Sequence, residues 1–290
     1  MRPGRYPDMH KSCKNQCGFT LIEAIMVMTI TAVLAAGVAV FLRKPIDGYM
    51  DLARRTAITD ITDTAVRRIS RDLHLALPNS VRLPNTGNSC LEFIPTVDGG
   101  RYRADVDGAS PPAGNLFTTA ASVSTFDVLK PPSPSAAASV NDLIVVYNLG
   151  ITGANAYNMD NVGIVTAATP TSITVGSTLF PFSSPGNRYH VVSGAQKAVF
   201  YVCSGVGVSG GNGTGTLYRM SGYGLNSAEP GSCPSVPANT PILAQNISRC
   251  VFSYASGVSE RSGLVTMLLG ITQGDEEVNI YHEVHVSNVP

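Results

Sequence analysis

From Phe19 to Leu42 the chain is apolar at nearly every position, and the single charged side chain in that run is Glu23. At about 1.5 Å of rise per helical residue the run spans roughly 36 Å, enough to cross a hydrocarbon core of about 30 Å. Length and composition therefore predict a membrane-spanning helix over 19–42. Glu23 is the exception within it, because a carboxylate in an apolar run is costly without a partner. Pro45-Ile-Asp-Gly48 then interrupts the helical pattern. It resumes at once with Leu52, Ile58, Ile61, Ala65, Ile69, Leu73, Ala76 and Leu77, spaced for the most part by three and four, which predicts an amphipathic helix over 43–78 with one face on a core. Its other face carries Arg54, Arg55, Asp60, Asp63, Arg67, Arg68, Arg71 and Asp72, and Asp51–Arg55 and Asp63–Arg67 have the favourable acid-first spacing of four. Such a face reads as solvated or partner-facing surface. Pro78-Asn79 ends the helix.

Beyond residue 79 the period shortens to that of strands. Cys90–Ile94, Asn141–Asn148, Tyr189–Ser193, Ala198–Cys203 and Thr216–Arg219 read as strands, with Val162–Val165 and Ser172–Val175 as a hairpin around Pro170. The chain closes as a meander of Arg249–Tyr254, Gly263–Ile271 and Val278–Val286, the last two joined by a Gln-Gly-Asp-Glu turn. Residues 104–139, rich in Ala, Ser, Pro and Gly, read as a long surface loop, and the Gly-rich 204–215 as a flexible hairpin loop. The fold class expected is α+β, a long N-terminal helix packed on a C-terminal antiparallel sheet domain over 79–290.

Composition removes several function classes. The formal net charge is zero and only 14% of residues are charged, so no basic surface argues for nucleic acid. The glycine stretch lacks the Lys-Ser or Lys-Thr of a phosphate-binding loop and does not open a helix. Ser209 has glycines at the nucleophile-elbow spacing, Gly207 and Gly211, but this stretch does not open a helix as that motif requires, and His282 and His285 fall on opposite faces of one strand, wrong for a shared metal. His74 and His190 read as surface or packed histidines. Asp105-Val-Asp107-Gly108 opens like a calcium loop but lacks the distal Glu, so it reads as a turn. No catalytic residues, cofactor or metal site are expected.

The order of elements at the N-terminus is inverted relative to a secretory signal peptide, in which the small-residue cleavage site follows the apolar run. Here Gly18 precedes it. The leader carries Arg2, Arg5, Lys11 and Lys14 against Asp8, and a start at Met9 would leave a short leader without an acid. Arg43 and Lys44 at the far end keep the charge rule from fixing orientation alone. Gly18-Phe19-Thr20-Leu21-Ile22-Glu23 resembles the signal of type IV pilins and type II secretion pseudopilins. The resemblance implies cleavage after Gly18 by a prepilin peptidase, removal of residues 1–18, and methylation of the Phe19 amine. It also implies pairing of Glu23 with the N-terminal amine of a neighbouring subunit. Many type IV pilins bend at a proline near the end of the apolar run; this chain has Val40 there and its proline at Pro45, so that kink is not expected at its usual place.

Val284–Pro290, Gly99–Arg103, and the order of Cys203, Leu217-Tyr-Arg219 and Cys250–Tyr254 resemble minor pilins of the MSHA type IV pilus system, whose layout PilW- and GspJ-type proteins share. The resemblance implies a non-enzymatic minor pilin that helps start or assemble a pilus. Its implied partners are other minor and major pilins through the N-terminal helix, prepilin peptidase, the inner-membrane assembly platform and the membrane itself. It places a single-pass protein in the bacterial inner membrane with its C-terminal domain in the periplasm, and in the pilus near its tip. Retention of Glu23 argues against the topmost position. A type II secretion pseudopilin shares every N-terminal feature, and a pilus adhesin using the 104–139 loop is a further alternative. Cys13 and Cys17 fall in the leader, leaving Cys90, Cys203, Cys233 and Cys250 for disulfides in an oxidising compartment. Sequence leaves three connectivities open. Strand placement leans to Cys203 with Cys250, leaving Cys90 with Cys233.

Overall fold

The computed structural model describes residues 18–106, 114–129, 138–256 and 262–290, the side chain of Lys44 excepted. The chain divides into two compact units, Met1–Ala53 and Arg54–Pro290. Helix α1 runs Leu21–His74. In the first unit it is exposed along its apolar length, Leu21, Met28, Val33, Val40 and Phe41 all being open. It is long and apolar enough to cross a membrane. Pro45 and Gly48 do not interrupt it, contrary to the break expected there. Pro45 removes one backbone donor and crowds the carbonyl four residues earlier, a local cost of roughly 3 kcal/mol that a helix continued on both sides can bear. It ends at His74, three residues before the expected Leu77, because the chain turns there into strand-like pairing. Leu77 N–H donates to the Ile94 carbonyl at 2.7 Å, and Ala76 bridges Pro95.

The second unit is built on two six-stranded antiparallel sheets rather than the one expected. Its strands are β1 Cys90–Phe93, β2 Asp98–Arg101, β3 Val123–Asp127, β4 Leu143–Val145, β5 Val162–Ala168, β6 Ser172–Thr178, β7 Arg188–Val192, β8 Val199–Ser204, β9 Val208–Ser209, β10 Asn212–Gly213, β11 Gly215–Ser221, β12 Ile242–Ala255, β13 Gly263–Gln273 and β14 Glu276–Val286. The first sheet has the order β1-β8-β11-β12-β13-β14. Its core side packs on the Arg54–His74 part of α1: Ile58, Ala65, Val66, Ile69 and Leu73 meet Leu91, Tyr201, Leu217, Phe252, Met267, Leu269 and Val284. The period of 3.6 on the helix and of 2 on the strands thus converge on one core. The α+β, pilin-like layout is as the sequence predicts.

The second sheet has the order β2-β7-β4-β5-β6-β3. Tyr102, just past β2, bridges Val128, just past β3, and Leu129 N–H donates to the Arg101 carbonyl at 2.9 Å, so the sheet closes on itself as a small barrel. Tyr102, Phe117, Phe126, Ile144, Val165, Phe180 and Tyr189 fill its interior. Gly163 of β5 belongs there because a Cβ would lie 3.1 Å from both Phe180 and Val175. β4 is buried on both faces, Ile144 in the barrel and Leu143 and Val145 against Leu77, Ile94, Tyr157 and Val192. This explains its continuous apolar run, although only Leu143–Val145 of the expected Asn141–Asn148 is strand. The expected 104–139 loop contains β3, whose Phe126 is fully buried. Its Val123, Thr125 and Phe126 are good strand formers hidden in a Ser-rich stretch.

An asparagine hub ties the end of α1 to the barrel and to the chain's last residues. Asn148 is buried; its side chain donates to the Pro78 carbonyl at 2.7 Å and accepts from Ala156 N–H at 2.8 Å. Asn79, in the left-handed conformation at φ 57, donates to the carbonyls of Asn148 and Asn288. Asn288 in turn hydrogen-bonds the Tyr254 hydroxyl at 3.1 Å.

Candidate functional site

Gly18, Phe19 and Thr20 are non-helical, and α1 begins immediately after them. Thr20 is the helix cap. Its carbonyl accepts from the N–H groups of Glu23 and Ala24, each at 3.1 Å, and its hydroxyl lies 3.4 Å from Glu23 N. Thr20-Leu-Ile-Glu23 has the spacing of a capping box, which places Glu23 at the third helical position. A carboxylate in the first turn is favoured by the helix macrodipole. Among the described residues its side chain has no ion-pair partner, and the nearby apolar residues Phe19, Ile22 and Met26 are themselves exposed. Space around Gly18 is open. Thr29 and Thr31 return their hydroxyls to carbonyls of the same helix, Met26 at 2.9 Å and Val27 at 2.7 Å, so both are satisfied without water. Residues 1–17, with Cys13 and Cys17, lie outside the described residues.

The charged face of α1 divides. Asp63 pairs with Arg67 on the surface. Asp72 does not belong to that surface: it accepts from the Tyr201 hydroxyl at 2.7 Å and from Arg219 Nε at 2.8 Å, tying the helix to β8 and β11. Burial, then the Asp72 carboxylate, holds the Tyr201 hydroxyl well above its ordinary range. Disulfides join Cys90 to Cys233 with Cα atoms 5.7 Å apart, and Cys203 to Cys250 at 6.4 Å. The second joins β8 to β12, strands that β11 separates in the sheet order. The first holds the segment after β11 over the outer side of the sheet, where Cys90, Phe200, Val202 and Met220 form a small core.

Beneath that segment lies a network the sequence reading missed. Glu92 is fully buried, paired with Arg82, and accepts from the Tyr223 hydroxyl at 2.8 Å. The Arg82 guanidinium lies 3.6 Å over the Tyr157 ring. Burial and then the Glu92 charge push both tyrosine hydroxyls upward. The one available signal is Glu92 itself, a carboxylate within the apolar run Cys-Leu-Glu-Phe-Ile. Every Glu92 oxygen is satisfied, as a structural tie requires.

His190 sits in β7 with its Nε2 buried and unpartnered, and burial followed by Arg188 lowers its pKa to about 4. His282 and His285 lie three positions apart in β14 and so on its opposite faces, as expected. Among the described residues no three His, Cys, Asp or Glu side chains gather as metal ligands. Asp107 and Gly108 of the calcium-like turn lie outside the described residues. The Gly-rich stretch forms the small hairpin β9–β10, which docks on the β13–β14 turn through Asp275 N–H to the Gly211 carbonyl at 2.8 Å.

Comparison with protein families matches residues 13–39 to the prokaryotic N-terminal methylation motif. The match coincides with the capped helix start and supports a place in the pilin and pseudopilin superfamily, with prepilin-peptidase processing and pilus-type machinery as partners in general. It suggests a structural rather than enzymatic protein. A search of curated proteins finds no match, and a search of solved structures finds none.

Proposed function

We propose that this chain is a minor pilin of an MSHA-type type IV pilus, cleaved after Gly18, methylated at Phe19 and built into the pilus through its N-terminal helix. The observation that carries the proposal is the junction itself. A non-helical Gly18-Phe19 leads through the Thr20 cap into an exposed apolar helix whose first turn holds a carboxylate without a described partner. Cleavage there creates an amine at Phe19, a cation suited to the Glu23 carboxylate of a neighbour in the apolar bundle. A buried charge finds its lowest energy beside its partner, so this pair sets axial register while helix packing supplies the attachment. Likeness of the Val284–Pro290 and Gly99–Arg103 segments to the MshO protein supports the MSHA assignment. The membrane holds the precursor, with 79–290 in the periplasm, and the assembly platform and sister pilins take it into the pilus.

The test is Glu23→Ala in cells making the pilus. Membrane insertion is expected to stay intact while recovery of the chain in sheared pili falls. Undiminished recovery would remove the pairing role.

A further inference from the structure

Among the described residues the barrel and one edge of the first sheet are closed. The barrel closes on itself through the Tyr102–Val128 bridge, and the free side of β1 is taken by Arg82, whose N–H and carbonyl both bond Glu92 at 2.9 Å. Strand β14 is different. Its register against β13 runs from Gly263–Val286 to Gln273–Glu276 without a bulge, and it is the last strand of its sheet. The turn at Gly274 and Asp275 has positive φ at both residues, 58° and 64°, the two-residue hairpin turn that makes Gln273–Glu276 a hydrogen-bonded pair. Alternation along an antiparallel ladder then points the N–H and C=O of Glu277, Asn279, Tyr281, Glu283 and His285 away from β13, about ten backbone groups. None of these groups has a backbone partner outside the sheet among the described residues.

Such an edge is a pairing template unless proline, a bulge or charged side chains blunt it; β14 has no proline and no bulge, and its charges are carboxylates, which repel acidic strands and leave the edge to a basic one. Its side chains add chemistry. Glu277 and Glu283 are exposed, no lysine or arginine lies on the strand, and Tyr281 is 61% exposed. Tyr281 stands at the end of a row formed by Val251 and Leu268 across the outer face.

We infer that β14 is an edge onto which another protein adds an antiparallel strand, and that this strand carries Lys or Arg opposite Glu283 and Glu277 with an aromatic or apolar residue opposite Tyr281. Counting along the incoming strand, the pattern is a basic residue, an apolar residue two positions later and a second basic residue four positions beyond that. Backbone hydrogen bonds supply attachment and the alternating side chains supply choice of partner. The occupant is a different chain rather than a second copy. Pairing β14 with itself across a two-fold axis would reverse the direction of Arg54–His74 between the copies, and the two chains would then leave for the membrane at opposite ends. That exclusion rests on the membrane-anchored reading proposed above.

The probe is a fluorophore-labelled peptide, Thr-Lys-Val-Tyr-Thr-Thr-Val-Lys-Thr, titrated against the full chain in detergent and followed by anisotropy. Controls are the same peptide with Glu for Lys, and one methylated on its bonding amides. Saturable binding of the Lys peptide alone is expected, with new amide-exchange protection at Glu277, Asn279, Tyr281, Glu283 and His285. Glu277→Lys with Glu283→Lys should weaken it about tenfold or more, since attraction becomes repulsion at two cross-strand pairs. Tyr281→Pro should abolish it without unfolding the chain, because the N–H it removes faces outward. No saturable binding, equal binding of Lys and Glu peptides, or binding retained by Tyr281→Pro would overturn the inference, as would self-association of the chain that Tyr281→Pro abolishes. Cleavage by prepilin peptidase, measured on the same preparation, reports separately on the pilin reading. A cleaved chain that ignores the peptide sinks only the edge proposal, and a binding chain that is never cleaved sinks only the pilin reading.

Discussion

Replacing Asn148 by Ala tests whether the asparagine hub holds the helix end to the barrel. Asn148 is 1% exposed, and its side chain satisfies two buried groups, the Pro78 carbonyl and Ala156 N–H. Alanine leaves both without partners. Each unpaired buried group costs about 1–3 kcal/mol, so the expected loss is about 2–5 kcal/mol, with water entry pulling it toward the lower half. In a domain of this size about 3 kcal/mol lowers the melting temperature by roughly 6–12 °C. The comparison that isolates hydrogen bonding is Asn161→Ala. Asn161 is equally buried, but its side chain makes a single bond, to the Val146 carbonyl at 3.0 Å, and its oxygen has no partner. Its loss should be about 1–2 kcal/mol. Thermal unfolding by circular dichroism, with disulfides intact, should therefore rank Asn148→Ala well below Asn161→Ala. Equal losses would show that the cavity, not the hub's hydrogen bonds, sets the cost.

His190 is held neutral by burial, with a folded pKa of about 4 against 6.5 unfolded, so its contribution is fully present above pH 6.5 and is lost as pH falls toward 4. Urea midpoints should fall by the equivalent of about 2 kcal/mol between pH 7.5 and 5, and His190→Gln should flatten that part of the profile. Arg219→Ala strips the Asp72 carboxylate and the Tyr201 hydroxyl of a shared partner in a site where both charged side chains are less than a fifth exposed. The expected loss is about 1–3 kcal/mol by chemical denaturation, below the fully buried range because of that residual exposure. Cys90→Ser with Cys233→Ser removes a bond across 143 residues of sequence, and Cys203→Ser with Cys250→Ser one across 47. Both should destabilise by about 2–5 kcal/mol, the first more than the second on the chain-entropy account, and a reversed order of midpoints would contradict that account.

What could be read in advance was what repeats locally. The apolar run of α1, the 3.6 period from Leu52 onward and the closing meander of β12, β13 and β14 each carry their own periodicity, and each appears in the structure. The barrel does not announce itself, because closure depends on Tyr102 meeting Val128 and on a strand, β2, whose residues are Asp-Gly-Gly-Arg. Asp72 shares its spacing with a solvated face, and only the arrival of Arg219 and Tyr201 from strands more than a hundred residues away turns it inward. Glu92 signals burial by its apolar neighbours, but Arg82, Tyr157 and Tyr223 come from three separate stretches. The candidate junction needed only local sequence, since Gly18, Phe19, Thr20 and Glu23 lie within six consecutive residues at one helix start.

The central claim is that Gly18–Phe19 is a processing junction. It is tested most directly by the intact mass of the membrane-extracted protein, with and without co-expressed prepilin peptidase. The account predicts a species that begins at Phe19 and carries one added methyl group only when the peptidase is present. The same unprocessed mass under both conditions would contradict it and leave α1 as a plain membrane anchor.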